Sequence, residues 1–227
     1  MTAYPEVVIV GIGQEPVGEH WDTSLRELAG RALRSAMKDA GGLQPQAVYV
    51  GSMLAASASH QANLGALVCE AAGLAGKAEG VTAEVAEASS AAALNLAWQA
   101  VRSGMTDVAA VVGVEKVTDV VGAGQELSLL GASLDADYES SEGLTPTGQA
   151  ALLLQRYLYE NQFPREVLRG FAMIARNNAV NNPNAMFRRE LSASAYNRAA
   201  PAAAPLNAFD IAAHADGSVA LILTRTD

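Results

Sequence analysis

The chain has 227 residues, of which 50% are hydrophobic and 17% charged, so a disordered or solvating protein is excluded. Twenty-four acidic residues against 15 lysines and arginines leave a net charge of −9. That balance argues against a nucleic-acid-binding surface, which needs clustered positive charge. It also argues against electrostatic docking on an anionic membrane.

Cysteine and histidine are scarce. A single cysteine, Cys69, leaves no internal disulfide, and the three histidines are far apart in the sequence, so we expect no metal site. The first residues lack the basic and apolar regions of a signal peptide. No run approaches the roughly 20 apolar residues that span a membrane. These features predict a soluble cytoplasmic protein.

Short apolar runs alternate with amphipathic segments over the first 118 residues. The predicted strands are 6–13, 47–50, 81–86 and 108–114, and the predicted helices between them are 25–37, 60–74 and 88–102. This alternation predicts a mostly parallel sheet with helices on both faces. The nearly unbroken apolar run at 6–13 is typical of a central parallel strand.

The alternation breaks after Thr118. Residues 119–142 are rich in Gly, Ser and Asp, two helices are predicted at 148–161 and 164–178, and a fifth strand follows at 218–224. The sequence therefore predicts an α/β core, residues 1–118 and 206–227, with a mixed, mostly parallel five-stranded sheet. Residues 119–205 are predicted to form a largely helical insertion.

Glu87 is the most informative single residue. It lies where the predicted strand 81–86 gives way to the helix 88–102, at the edge of the sheet where open α/β folds bind ligands. The positive end of the helix dipole favours an anion there. A carboxylate that caps the helix is the simpler interpretation, because acidic residues often begin helices.

Three other features have ordinary explanations. Gly11–Gly13 begins like a dinucleotide-binding motif, but Pro16 stands at the third glycine, so a turn that ends the strand is favoured. Cys69 has apolar neighbours at helical spacing and is expected to be a small buried residue. Glu115 and Lys116 are expected to form an exposed ion pair.

Four segments, in this order, carry a resemblance to a known family. They are EVVIVGIG, AEVAEASSAAALNLAWQAVRSGMTDVAAVVGVEKVTD, NNPNAMFRRELSASAY and PLNAFDIAAHADGSVALIL. Together they resemble the N-terminal half of the thiolase superfamily, in particular the sterol-carrier-protein-type and archaeal-type thiolases. The resemblance covers nearly the whole chain and implies the thiolase α/β fold and a role in acyl-CoA metabolism.

Two departures from the family pattern bear on activity. The acyl-accepting cysteine of the family falls on Glu87, and Ser90 replaces a glycine. A carboxylate is a poor nucleophile toward a thioester. The Asn-Glu-Ala-Phe, Gly-His-Pro and second-cysteine motifs of the family's second half are absent from the 227 residues. Ordinary thiolase activity is therefore not expected of this chain alone.

The resemblance and its departures leave three hypotheses. In the first, the chain is a non-acylating subunit that binds a coenzyme A (CoA) thioester without a covalent bond, with Arg188 or Arg189 near its phosphates. Its partner would be a thiolase-like C-terminal half or a second thiolase-like subunit, and two copies would pair through the strand that bears Glu87. In the second, Glu87 is the general acid or base of a lyase or decarboxylase. In the third, the chain is a structural pseudoenzyme in which Glu87 caps the helix.

Overall fold

The computed structural model describes residues 6–226, with residues 123, 126 and 127 described by their backbone alone. The chain forms two compact units. Residues 6–120 and 215–226 make the first, which we call the sheet unit, and residues 121–214 make the second, the inserted unit.

The strands are β1 (Val7–Gln14), β2 (Ala47–Gly51), β3 (Glu79–Ala83), β4 (Val108–Glu115), β5 (Pro201–Ala203), β6 (Leu206–Asn207) and β7 (Gly217–Arg225). The α-helices are α1 (Leu25–Asp39), α2 (Ala55–Ala58), α3 (Leu64–Ala71), α4 (Ser89–Ser103), α5 (Ala123–Leu130), α6 (Pro146–Glu160), α7 (Arg169–Ala179) and α8 (Ala193–Asn197). The sheet unit has a five-stranded sheet in the order β1-β7-β4-β2-β3. β2 is parallel to β3 and β4, and β7 is antiparallel to β1 and β4. The predicted mixed α/β sheet is therefore confirmed.

Local sequence signals explain the ends of α1. The Ser24 side chain accepts a hydrogen bond from the Glu27 N–H at the start of the helix. The helix ends at Asp39, and Gly41 and Gly42 follow with φ of 71° and 88°, a conformation that glycine adopts without steric cost.

Helices cover the two faces of the sheet unequally. α1 and α3 pack on one face over a large core, and α4 packs on the other face over a smaller one. Successive side chains of β2 point to opposite faces of the sheet, so Val48 and Val50 belong to the first core and Tyr49 to the second. The first core includes Leu28, Leu33, Leu64, Val68, Val112 and Ile222; the second includes Ala93, Ala97, Val101, Val111 and Leu223.

The prediction of a central parallel strand at 6–13 is wrong. β1 is an edge strand that pairs antiparallel with β7 alone among the described strands. β7 lies between β1 and β4, so the last strand of the chain takes the inner position. The apolar run of β1 reflects an uncovered surface instead, since Ile9 and Ile12 are 51% and 57% exposed.

The expected turn at Gly11–Gly13 is also wrong, because both glycines lie inside β1. Their missing side chains let α1 approach the strand closely. A Cβ atom at Gly11 would collide with the carbonyl oxygen of Ala36, and one at Gly13 with that of Ala32. The strand predicted at 81–86 likewise begins earlier, at Glu79, and ends at Ala83.

The inserted unit is mostly helical, as predicted, with α6 and α7 at the two expected places. A two-stranded ladder of β5 and β6 accompanies them. Its small core is centred on Tyr196, whose hydroxyl donates to the Asp210 carboxylate over 2.7 Å. Burial and this hydrogen bond raise the pKa of Tyr196 to about 12, so the phenol stays protonated at neutral pH.

Two glycines set how closely α4 approaches the sheet. A Cβ atom at Gly51, the last residue of β2, would lie 2.5 Å from the Ser89 carbonyl oxygen and 2.6 Å from the Ser90 Cα. A Cβ at Gly113 in β4 would collide with the Ser90 hydroxyl oxygen. The first turn of α4 therefore lies directly on the carboxyl ends of two parallel strands.

We expect Gly51→Ala to lower the free energy of unfolding by about 1–3 kcal/mol, because the added methyl group has only backbone to displace. Urea unfolding followed by circular dichroism would measure the loss. Gly170→Ala is the matched control, since a Cβ there meets open space on α7. It should leave stability unchanged or raise it by up to about 1 kcal/mol. Equal midpoints for the two variants would contradict the close packing of α4.

Candidate functional site

A strained turn delivers the chain into α4. Ala86 has a φ of 47°, which is uncommon for a residue other than glycine. Two side chains hold the turn. The Ser89 hydroxyl accepts from the Val85 N–H over 2.9 Å and donates to the Ala86 carbonyl over 2.6 Å, and the Glu84 carboxylate accepts from the Ala86 N–H. Glu87, the next residue, is thereby fixed at the carboxyl edge of the sheet.

The interpretation of Glu87 as a helix cap is wrong. The N-cap position belongs to Ala88, which has no side-chain hydrogen bond to offer, and Ser89 makes the local bonds instead. Glu87 is exposed. Within residues 6–226 its carboxylate has no hydrogen bond or ion pair. The turn presents this side chain without using it for structure.

Glu115 and Lys116 do not pair with each other, contrary to expectation, because neighbours on a strand point to opposite faces. The Glu115 carboxylate, at the end of β4, accepts from the Ser52 hydroxyl over 3.2 Å and from the N–H groups of Met53 and Leu54. Burial raises the pKa of Glu115, and these hydrogen bonds oppose the rise. Glu115 thus fixes the segment that follows β2.

Lys116 is buried and paired, not exposed. Its ammonium group donates to the Asp216 carboxylate over 3.2 Å, to that of Asp119 over 2.9 Å and to the His20 carbonyl over 3.0 Å. Three acceptors match the three donors of the lysine, so a charge can stay buried here.

Asp216 is fully buried and accepts more hydrogen bonds than Lys116 donates. Its Oδ1 accepts from the N–H groups of Val117 (2.8 Å) and Thr118 (3.0 Å). Its Oδ2 accepts from the Thr118 hydroxyl (2.7 Å) and the His20 N–H (3.0 Å), besides Lys116. Burial alone would raise the pKa of Asp216, but the hydrogen bonds outweigh it and hold the pKa at about 2. The side chain is a carboxylate at neutral pH.

A groove runs along α4 on the sheet unit. One cavity of about 560 Å³ lies at the carboxyl edge of the sheet, and a second of about 380 Å³ lies between α4 and β1. They share Ala91 and Leu94, so we call the two together the α4 groove. Its walls are mainly apolar, and Ser90 and Glu115 lie at one end. Further lining residues are Val7, Ile9, Trp98, Val111, Val219, Leu221 and Leu223.

The two predicted phosphate-binding arginines lie in the inserted unit. Arg188 and Arg189 are both exposed, in the segment between α7 and α8. Next to them the guanidinium of Arg176 lies 4.5 Å from the centre of the Phe187 ring. Sequence reasoning missed a wider pattern: all seven basic residues of the inserted unit are arginines within residues 156–198, a stretch with only three acidic residues.

Cys69 lies on α3, is 3% exposed and belongs to the larger core, as predicted. Burial raises the pKa of its thiol, so the thiolate is disfavoured at neutral pH. In the part of the chain that the structure describes, no group of three or more His, Cys, Asp or Glu side chains could hold a metal ion. No helix among residues 6–226 is long and apolar enough to cross a bilayer.

These features define the class of protein: an α/β fold with a helical insertion, in which a strained turn presents one side chain at the start of a helix packed against the sheet. A sequence model of the thiolase N-terminal domain matches residues 7–199. The chain belongs to the thiolase family.

Individual relatives agree with this assignment. The acetyl-CoA acetyltransferase of Methanothermobacter thermautotrophicus is 33% identical over 98% of this chain and 57% of its own length. The benzoylsuccinyl-CoA thiolase subunit BbsB of Thauera aromatica is 29% identical over 96% of this chain and 55% of its own. The solved Ltp2-ChsH2(DUF35) aldolase shares the fold, with a TM-score of 0.79 and 22% identity over 99% of this chain and 57% of that one. The chain thus spans little more than half the length of each of these proteins.

Thiol reactivity tests the contrast between positions 69 and 87. We expect the native chain to react slowly with Ellman's reagent, because Cys69 is buried, and fully once denatured. In Glu87→Cys, one further thiol per chain should react promptly, since residue 87 is exposed. Rapid labelling of the native wild type would contradict the burial of Cys69, and slow labelling of the variant would contradict the presentation of residue 87.

Proposed function

We propose that this chain is a non-acylating component of an acyl-CoA-processing thiolase assembly, one that binds a CoA thioester without forming an acyl-enzyme. The observation that carries the proposal is an acid, Glu87, on the strained turn where the resembled family has its acyl-accepting cysteine.

The chemistry of a carboxylate supports this. Attack of Glu87 on a thioester would expel the CoA thiolate and leave a mixed anhydride, a far less stable product than the thioester that cysteine forms. The other candidate nucleophile, Cys69, is enclosed in the core on α3 with its pKa raised. Neither side chain offers a thiolate at the edge of the sheet.

The arginines of the inserted unit support CoA binding. CoA carries a pyrophosphate and a further phosphate. One guanidinium group can bind two phosphate oxygens at once through two parallel hydrogen bonds. Arg188 and Arg189 are exposed and adjacent, and the stretch around them has an excess of arginine over acid in a chain that is otherwise acidic. The names of two relatives, an acetyl-CoA acetyltransferase and a benzoylsuccinyl-CoA thiolase subunit, are consistent with a CoA thioester as ligand.

The uncovered face of the sheet unit supports a partner. Ile9, Trp98 and Val219 line the α4 groove and are exposed, and Ile12 is a further exposed apolar residue of β1. Contiguous apolar surface of this kind marks an interaction site. We propose that a second thiolase-type half covers this face. The relative from Thauera aromatica is itself named as a subunit.

A second copy of the chain is proposed at the opposite edge of the sheet. Among the described strands, β3 pairs only with β2, so its outer edge is open. Val81 on this edge is 40% exposed, and Val85 beyond it 54%. Two β3 edges pairing across a two-fold axis would satisfy the open backbone groups and bury these side chains.

One observation favours a second candidate function. The Glu87 carboxylate is exposed and has no hydrogen bond or ion pair among the described residues, so no structural contact occupies it. A carboxyl group free of such contacts can transfer a proton in a lyase or decarboxylase reaction without an acyl-enzyme. A Glu87→Gln variant of the complete assembly would lose turnover of β-ketoacyl-, malonyl- or β-hydroxyacyl-CoA if this role holds. Equal turnover by Glu87→Gln and the wild type would contradict this role for Glu87.

Covalent labelling tests the non-acylating role. Incubation of the wild type with radiolabelled acetyl-CoA should leave no label on the denatured polypeptide, because no accessible thiolate is present. Mass spectrometry of the intact chain should show the unmodified mass. A stable acyl adduct at any residue would overturn the proposal.

Calorimetric titration with CoA tests the arginines. In Arg188→Ala/Arg189→Ala, the Kd for CoA should rise about tenfold or more, since each charge-assisted hydrogen bond contributes about 1.5–3 kcal/mol. Arg26→Ala is the control, because it removes an exposed arginine of α1, outside the inserted unit, that pairs with Glu70 on α3. It should change Kd less than about twofold, the effect of a surface pair. Equal effects in the two variants would mean that phosphate is bound elsewhere.

Light scattering after gel filtration tests the pairing of two copies. The wild type should have twice the chain mass of 23.5 kDa. Val81→Lys should be monomeric, because a lysine on an edge strand opposes pairing. Met105→Lys, at a residue that is 79% exposed after α4, should keep the mass of the wild type. A monomeric wild type, or a dimeric Val81→Lys, would contradict the β3 contact.

A further inference from the structure

We infer that Asp216 is a clamp that fixes both chain connections to the inserted unit where they leave the sheet unit. The two connections follow Val120 and precede Ala215. The Asp216 side chain bonds the last buried residues before the first connection. Asp216 is itself the first buried residue after the second connection.

The first connection is held by three donors. The N–H groups of Val117 and Thr118 and the Thr118 hydroxyl all bond the Asp216 carboxylate, over 2.7 to 3.0 Å. These residues are 98 or 99 positions apart in sequence from Asp216, so nothing local brings them together. Lys116 adds a further link, since it bonds both Asp216 and Asp119.

The second connection is held through its backbone. The Asp216 N–H donates to the Gly18 carbonyl over 2.8 Å, and the Gly18 N–H donates to the Asp216 carbonyl over 3.1 Å. The Asp216 carboxylate also accepts from the His20 N–H. The loop between β1 and α1 therefore anchors Asp216, and Asp216 in turn anchors residues 117 and 118.

Burial changes sharply on both sides of this clamp. Val117, Thr118 and Asp216 are buried, whereas Asp119, residues 121–122 and residues 211–213 are exposed. The clamp is thus the last point at which each connection is enclosed by the sheet unit. Segments with few buried contacts open locally more often than the core does. Loss of the clamp should extend that opening into residues 117–118 and 214–218.

Thr118→Val tests the clamp, because it removes one hydroxyl donor and keeps the shape of the side chain. In hydrogen-exchange mass spectrometry of the full chain, amides in 16–20, 117–122 and 211–218 should exchange about tenfold faster or more. Those of β2 and β4 should keep their rates. Asp216→Asn should enlarge the same pattern. Ser133→Ala, which removes a hydroxyl bonded to the Leu130 carbonyl, is the matched control and should leave all three segments unchanged.

The outcomes separate a local clamp from a general loss of stability. Unchanged exchange in Thr118→Val, or an equal increase across β2 and β4, would overturn the clamp. Faster exchange confined to the three segments supports it.

Discussion

The contact between α4 and the sheet is the constraint on which the candidate site depends. Gly51 and Gly113 leave no side chain between the strands and the first turn of the helix, so Ser89 and Ser90 lie directly on the sheet. The turn before the helix is then short enough to force Ala86 to a positive φ, and Ser89 holds it there. None of these interactions uses the side chain of residue 87. The fold can therefore place a cysteine or a glutamate at that position with equal ease, and the chemistry can change while the architecture stays.

Most secondary structure could be predicted from the sequence, because the signals are local. The N-cap at Ser24 and the glycines after Asp39 bound α1 without any reference to the rest of the chain. The place of β1 in the sheet could not be predicted, since it depends on where β7 inserts after the chain returns from the inserted unit. An apolar run is the same in sequence whether a strand is central or has an uncovered face.

The candidate site likewise has one part that could be predicted from the sequence and one part that could not. Position 87 could be found because the turn, the helix and the family resemblance all lie within a few residues of it. The cluster of Lys116 and Asp216 could not, because its members are 100 residues apart and their pairing exists only in the folded chain. Adjacent opposite charges, Glu115 and Lys116, suggested a pair that the alternation of a strand forbids. Charges that are close in sequence are thus a poor guide to ion pairs in strands.

The composition of two helices of equal length shows why the α4 face needs a cover. α1 and α4 have 15 residues each. α1 carries six charged residues, as a helix with one face in water does, whereas α4 carries only Arg102. The rest of α4 is mainly alanine and leucine, which pack closely but hydrate poorly, together with a few uncharged polar residues. A helix of this kind is suited to burial on both sides, with the sheet on one and apolar protein on the other. The surface that meets the α4 groove should accordingly be apolar and closely fitting, and a charged or strongly hydrated partner would not match it.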